Sequence, residues 1–147
     1  EHQKIKDYLT SVTGGRNANI IVIKNDLSHI YEIDQAFKNN ELVCMHADRF
    51  VDGSRTMEIN FLGAPAKFPA GPFIIAAQFK VPVCYVFAMK EKTTHYHFYS
   101  TDIRTYDYSN KQTAMRKMLE ELTHEMEEKL KLYPVQWYNY YDFWRKG

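Results

Sequence analysis

The sequence predicts an α/β fold in which helices flank a mostly parallel sheet. Short β-branched runs, typical of strands that are buried on both faces, alternate with segments of helical period. A long amphipathic helix and an aromatic tail follow them. The 147 residues are enough to bury a core, and we interpret 1–147 as a single domain.

The first half of the chain alternates helix and strand signals. Residues 1–12 predict a helix, and NIIVIK (19–24) predicts a buried strand. A second helix is expected from about residue 26 to 38, because Asp and Ser side chains at its start can accept hydrogen bonds from the first turn. ELVCMH (41–46) predicts a second buried strand, and the alternating run TMEINF (56–61) predicts an edge strand.

The second half contains the strongest signals. A short helix is predicted at 71–80, where a proline near its start loses no hydrogen bond. VPVCYVFAMK (81–90) predicts the main strand, and HYHFYST (95–101) predicts its antiparallel neighbour. Apolar residues at helical spacing predict a long helix over 110–133, with a methionine-rich stripe that we assign to the core. An aromatic tail ends the chain.

Composition excludes several classes of protein. The formal net charge is +1, so no global charge attracts the chain to nucleic acid or to a membrane. The two cysteines, Cys44 and Cys84, lie in predicted buried strands and do not suggest a disulfide framework or a metal site. No apolar run approaches the roughly 18–20 residues of a membrane span. We expect neither a metal nor a cofactor. Because the chain begins without Met, we expect a piece of a longer protein.

The stretch FLGAPAKFPAGPF, Phe61 to Phe73, is dense in residues that restrict or relax the backbone. Its prolines and glycines are Pro65, Pro69, Pro72, Gly63 and Gly71. One interpretation is a crossover loop that the prolines merely shape. The other is a rigid cradle that ends at a helix start and holds Lys67 beside an anionic or polar group.

Three blocks of the sequence resemble a known family. ELVCMHADR, FLGAPAKFPAGPFIIAAQFKVPVCYVFAMKE and YPVQWYNYYDFW resemble the lysophospholipid acyltransferase superfamily, and most of all the late acyltransferases of lipid A biosynthesis. The resemblance covers about Asn40 to Trp144. It implies transfer of a fatty acyl chain from acyl-carrier protein or acyl-CoA to a membrane lipid acceptor, such as a lipid A precursor. It also implies peripheral or N-terminally anchored association with the cytoplasmic face of the bacterial inner membrane, and no nucleic-acid partner.

The resemblance also implies which residues bind substrate. They are Asp48, Arg49, Lys67, Phe68, Pro69, Gly71 and Pro72. Arg49 would contact an acceptor phosphate or support the catalytic pocket, although an ion pair with Asp48 is the alternative. The block Pro69–Phe73 departs from the Pro-Glu-Gly-Thr-Arg block of the glycerol-phosphate branches, which disfavours a lysophosphatidate acceptor.

The catalytic pair of that family, a His and an Asp spaced His-x4-Asp, has no counterpart here. The spacing occurs at His2–Asp7 and His29–Asp34, but both pairs fall in predicted helices. Five residues rotate about 140° around a helix, so the two side chains of a pair do not share a face. We interpret both as coincidences. The isolated chain is therefore expected to contain no catalytic residue and to be inactive.

Three further questions remain open at the level of sequence. His95 and His97 lie on one strand face and predict either an exposed face or part of a metal site. The aromatic tail, with Trp137, Tyr140 and Trp144, either docks onto the core or forms a belt at a membrane interface. The rival function is a non-catalytic lipid- or nucleic-acid-binding module, which the low net charge disfavours.

Overall fold

A computed structural model of the protein describes residues 19–23, 26–140 and 143–144. The chain divides into two compact units, Glu1–Cys44 and Met45–Gly147. The predicted helix at 1–12 lies outside the described residues.

The first unit contains one described helix, α1 (Ser28–Lys38). Before its first turn, the backbone N–H of Ser28 donates to the Asp26 carboxylate at 2.9 Å. The helix ends where Asn40 adopts a positive φ of 56°. The predicted strands do not form: 19–23 and 41–46 are irregular, with Ile23 and Leu42 exposed. The buried-strand predictions for these two runs are wrong.

In the second unit, the proline-rich stretch forms a strand. β1 (Thr56–Phe61) and β2 (Ala64–Pro69) pair as an antiparallel hairpin, so the prediction of a loop after β1 is wrong. The turn residues Leu62 and Gly63 have φ values of 51° and 86°, which fit a type I′ turn.

The prolines are compatible with a strand because of the pairing register. Pro65 and Pro69 lie opposite Asn60 and Thr56, at positions that alternate with the hydrogen-bonded pairs. Their ring nitrogens therefore face the outer edge of the hairpin, where a missing N–H breaks no ladder bond. On the other edge, the Arg116 guanidinium donates to the Glu58 carbonyl at 2.7 Å. Both edges are thus protected from further pairing.

The remaining elements follow in chain order. α2 (Gly71–Phe79) begins as predicted, with Pro72 in its first turn. β3 (Val86–Lys92) and β4 (His95–Ser100) form a second antiparallel hairpin, as predicted, although the strand starts later than residue 81. α3 (Lys111–Leu132) also matches its prediction, and the Asn110 side chain caps it by accepting from the Thr113 N–H at 3.0 Å.

The prediction of a mostly parallel sheet is wrong. The described residues form two separate two-stranded antiparallel sheets. The runs at 19–23 and 41–46, which we predicted as buried strands of this sheet, are irregular. In addition, the proline-rich stretch forms a strand, β2, that was not predicted. Among the described residues, no helix is long and apolar enough to cross a bilayer.

The core of the second unit lies between the first hairpin, α2, α3 and the aromatic tail. Four large side chains are fully buried, namely Phe61, Phe68, Met118 and Leu119. The methionine-rich stripe of α3 faces this core, as predicted, with Met118 and Met126 buried.

Candidate functional site

Strand β2 and the start of α2 contain five of the seven residues predicted to bind substrate. Lys67 is half-buried and lies opposite Glu58, on the hairpin face that points away from the core. The face is set by alternation, because Ile59 and Phe61 of the same hairpin are buried. Pro65 and Pro69 lie two residues before and after Lys67 and restrict the backbone there. The Lys67 side chain therefore projects from a rigid strand.

The start of α2 follows Lys67 along the chain and has free space at Gly71. The Ala70 N–H donates to the Arg55 carbonyl at 2.9 Å, which continues the hairpin pairing up to the first residue of α2. The N–H groups of Gly71 and Phe73 belong to the first turn and have no acceptor within the helix. A Cβ placed on Gly71 would meet no atom within 4 Å. A polar or anionic group therefore has both space and donors at this corner.

Asp48 and Arg49 lie in the loop before β1. The Arg49 Nε and Nη2 atoms donate to one oxygen of Asp48 at 3.0 and 2.7 Å. The ion-pair interpretation of these two residues is confirmed. Ala47 packs against the core beside them, which anchors the loop. The structure thus brings Asp48 and Arg49 together. The other five predicted residues lie along the end of β2 and the first turn of α2, which we call the β2–α2 corner. A contact of Arg49 with substrate stays a prediction.

Phe68 differs from the other predicted site residues because it is fully buried. Its ring centroid lies 5.4 Å from that of Phe61 and 5.2 Å from that of Phe143. The ring has no exposed surface to offer a substrate, and it stabilises the hairpin from the core side.

The aromatic tail docks onto the same core. Trp137 and Phe143 pack edge-on against each other at 4.9 Å, and the Trp144 indole N–H donates to the Phe61 carbonyl at 3.1 Å. The core-docking interpretation is confirmed for both tryptophans. Tyr140, in contrast, is exposed.

Among the residues that the structure describes, the histidines do not form a metal centre or a buried catalytic pair. His95 and His97 lie 3.7 and 3.6 Å from the Glu91 carboxylate, on an exposed part of the second hairpin. Within the described ranges, no group of three or more His, Cys, Asp or Glu side chains could hold a metal ion. Asp34 forms an ion pair with Lys38, which supports the interpretation that the His29–Asp34 spacing is a coincidence. The pair His2–Asp7 lies outside the described residues.

A polar network that was not predicted from the sequence joins the segments before and after the second hairpin to α3. The Tyr106 hydroxyl donates to Glu121 at 2.6 Å, and Arg104 contacts the same carboxylate at 3.0 Å. The Tyr85 hydroxyl donates to the Met118 carbonyl at 2.8 Å. Burial raises the pKa of Tyr85 to about 12. A sequence signal existed, since Glu121 and Glu125 share one helix face and both bind Arg104.

Comparison with known proteins places the chain in a class of transferases. The model of the bacterial lipid A biosynthesis acyltransferase family matches residues 4–146. The chain therefore belongs to the bacterial lipid A biosynthesis acyltransferase family, which confirms the resemblance seen in the sequence. No curated protein and no solved structure matched the chain.

Proposed function

We propose that the chain supplies substrate-binding elements of an enzyme that transfers a fatty acyl chain to a membrane lipid. The donor is acyl-carrier protein or acyl-CoA, and the acceptor is a lipid A precursor or a similar lipid at the cytoplasmic face of the bacterial inner membrane. The family match over residues 4–146 is the observation on which the proposal rests.

The geometry of the β2–α2 corner supports this proposal. A lipid A precursor is rich in phosphate and hydroxyl groups, which suit a lysine on a rigid strand and the first-turn N–H groups of a helix. Arg49 would contribute a planar guanidinium whose orientation the Asp48 carboxylate fixes. Together these groups can hold an acceptor in place.

Proton abstraction from the acceptor hydroxyl is assigned to a His-x4-Asp segment of the complete enzyme. An alcohol becomes an effective nucleophile when a positioned base takes its proton, and such a base contributes roughly 10²–10⁴-fold. The His95–Glu91 and His97–Glu91 contacts lie on an exposed surface and do not form a pocket for an acyl chain. We therefore expect the 147-residue chain to show only background transfer.

The proposal is tested on the product of the complete gene, with labelled acyl-carrier protein and a lipid acceptor. Arg49→Ala should lower turnover by roughly ten-fold or more, because it removes a charge-assisted contact. Lys67→Ala should lower it less, since Lys67 occupies a position that the family motif leaves variable. Lys92→Ala, at an exposed position of β3, is the matched control and should leave turnover unchanged.

The same assay includes the 147-residue chain alone. Near-wild-type turnover in both Arg49→Ala and Lys67→Ala would contradict the site assignment. Turnover by the isolated chain that disappears in His46→Ala would contradict the assignment of the base, and would make His46 the base.

A further inference from the structure

The outer edge of strand β3 has backbone groups that no other strand of the described residues uses. β3 pairs with β4 on one side only, because its sheet has two strands. The Tyr85 carbonyl accepts from the Thr101 N–H at 3.0 Å, so the backbone of Tyr85 faces the β4 side. Successive residues of a strand direct their N–H and C=O groups to opposite sides. Cys84, Val86 and Ala88 therefore direct theirs to the outer edge.

The usable part of this edge is limited at both ends. At its C-terminal end, the Gln136 side chain accepts from the Lys90 N–H at 2.7 Å and donates to the Lys90 carbonyl at 2.9 Å. At its N-terminal end, Pro82 has no N–H to donate. We call residues 84–88, which lie between these limits, the open run. Within the described part of the chain, no strand pairs with the outward groups of Val86 and Ala88.

The open run is symmetric about Val86, so it can pair with an identical run. In an antiparallel pair centred there, each Val86 lies opposite its copy, and each Cys84 lies opposite the Ala88 of the other chain. These positions all face outward, so they form hydrogen-bonded pairs with about six backbone bonds in total. No charged side chain lies between Lys80 and Lys90. This register therefore places no like charges opposite each other.

The other sheet edges of the second unit have protection that the open run does not have. Prolines and an arginine protect the two edges of the first hairpin. Strand β4 carries the titratable side chains of His95 and His97, which lie beside the Glu91 carboxylate. Proline and charge are the usual means by which proteins keep an edge strand from pairing. The open run has neither, and its central residue, Val86, is 58% exposed.

We propose that the open run pairs with the same run of a second copy of this chain, antiparallel about a two-fold axis at Val86. The two hairpins then form one four-stranded sheet. The two Val86 side chains lie side by side on one face of that sheet, and pairs of β-branched residues stabilise such a contact. A contact that uses the same patch on both copies closes on itself, so it yields a dimer and not a filament. The interface is small, and small interfaces form transient complexes.

Sedimentation velocity of the 147-residue chain at rising concentration measures the monomer–dimer equilibrium. Val86→Lys should raise the dissociation constant of the dimer about ten-fold, because it removes an apolar pair and places two like charges opposite each other. Circular dichroism checks that the variant keeps its fold, which we expect because Val86 is largely exposed. The matched control is Phe98→Lys, at a position of β4 that is 69% exposed and does not lie on the paired edge. It should leave the dissociation constant unchanged.

A cysteine cross-link tests the register. The Cα atoms of a hydrogen-bonded pair lie about 5.5 Å apart, within the roughly 4.4–6.8 Å that a disulfide spans. The two native cysteines are first removed by Cys44→Ala and Cys84→Ala. In that background, Val86→Cys should give a disulfide-linked dimer under mild oxidation, whereas Phe98→Cys should stay monomeric.

Three outcomes would overturn the proposal. The first is a chain that stays monomeric at every concentration. The second is an equal rise in the dissociation constant for Val86→Lys and Phe98→Lys, which would place the contact on the exposed face of the hairpin. The third is cross-linking through Phe98→Cys but not through Val86→Cys, which would show that the two copies pair through the edge of β4.

Discussion

The two hairpins have the same topology but are stabilised by different means. In the first, one face of β1 and β2 is buried by α3 and the aromatic tail, and Phe61 and Phe68 have no exposed surface. In the second, most of β4 is exposed. Its main tie to the tail is polar: the Gln136 side chain accepts from the Lys90 N–H at 2.7 Å and donates to the Lys90 carbonyl at 2.9 Å.

This difference shows that strand pattern alone does not determine how a hairpin is held. The Gln136 amide pairs with the β3 backbone much as a neighbouring strand would, and it replaces the apolar cover that the first hairpin has. A hairpin with one fully buried face should respond strongly to loss of apolar volume, whereas an exposed hairpin should respond weakly.

The largest expected effect is the loss of an aromatic ring from the first hairpin. Phe61→Ala should lower the free energy of unfolding by about 3–5 kcal/mol, because it leaves a cavity among the rings of Phe68, Trp137 and Phe143. Phe98→Ala, at a position of β4 that is 69% exposed, should change it by less than about 0.5 kcal/mol. Chemical denaturation of both variants measures the difference, and similar losses would contradict the comparison.

The hairpins also differ in how well the sequence predicted them. β3 and β4 were predicted because both strands and the turn between them are contiguous in a β-rich run. β2 was missed because three prolines and two glycines are usually signs of a loop. The register that makes Pro65 and Pro69 acceptable depends on pairing with β1, which no local pattern shows. The wrong strand predictions at 19–24 and 41–46 have a similar cause, since an apolar run forms a strand only where a partner pairs with it.

Helices were predicted with better bounds because their signals are local. Asn110 caps α3 and Pro72 begins α2, as the sequence indicates. For the candidate site, the resemblance predicted Lys67, Gly71 and the Asp48–Arg49 pair, and their contact with substrate stays a prediction. The sequence could not show that Phe68 is buried, because burial depends on tertiary packing.

The free energy of unfolding should fall at alkaline pH, because a buried tyrosine beside the second hairpin loses its proton. Tyr85 precedes β3, and its pKa is raised from 10.0 to about 12 by burial. The folded state keeps this proton up to higher pH than the unfolded state, so the stability that it contributes is present below pH 10 and is lost between pH 10 and 12. The loss from this group should reach about 2–3 kcal/mol.

Stability is measured by denaturant unfolding at several pH values, with Tyr85→Phe as the comparison. The variant should be less stable at neutral pH, because the Met118 carbonyl loses its donor, and its stability should fall less steeply above pH 10. An identical slope in the variant and the wild type would show that Tyr85 does not account for the alkaline loss.

The smallest effect concerns the two hairpin turns. Gly63 has a φ of +86°, and no atom lies within 4 Å of a Cβ built on it, so backbone strain is the only penalty for a side chain there. Gly63→Ala should therefore lower the free energy of unfolding by about 1 kcal/mol. The turn of the second hairpin contains Thr93 and Thr94, neither of which has a positive φ, so Thr94→Ala should change stability by less than about 0.5 kcal/mol. Gly71→Ala is the matched control, because it has equal space for a Cβ and no positive φ, and it should be neutral or slightly stabilising. Thermal unfolding of the three variants separates strain from crowding: an equal loss for Gly63→Ala and Gly71→Ala would show that the left-handed turn is not what makes Gly63 necessary.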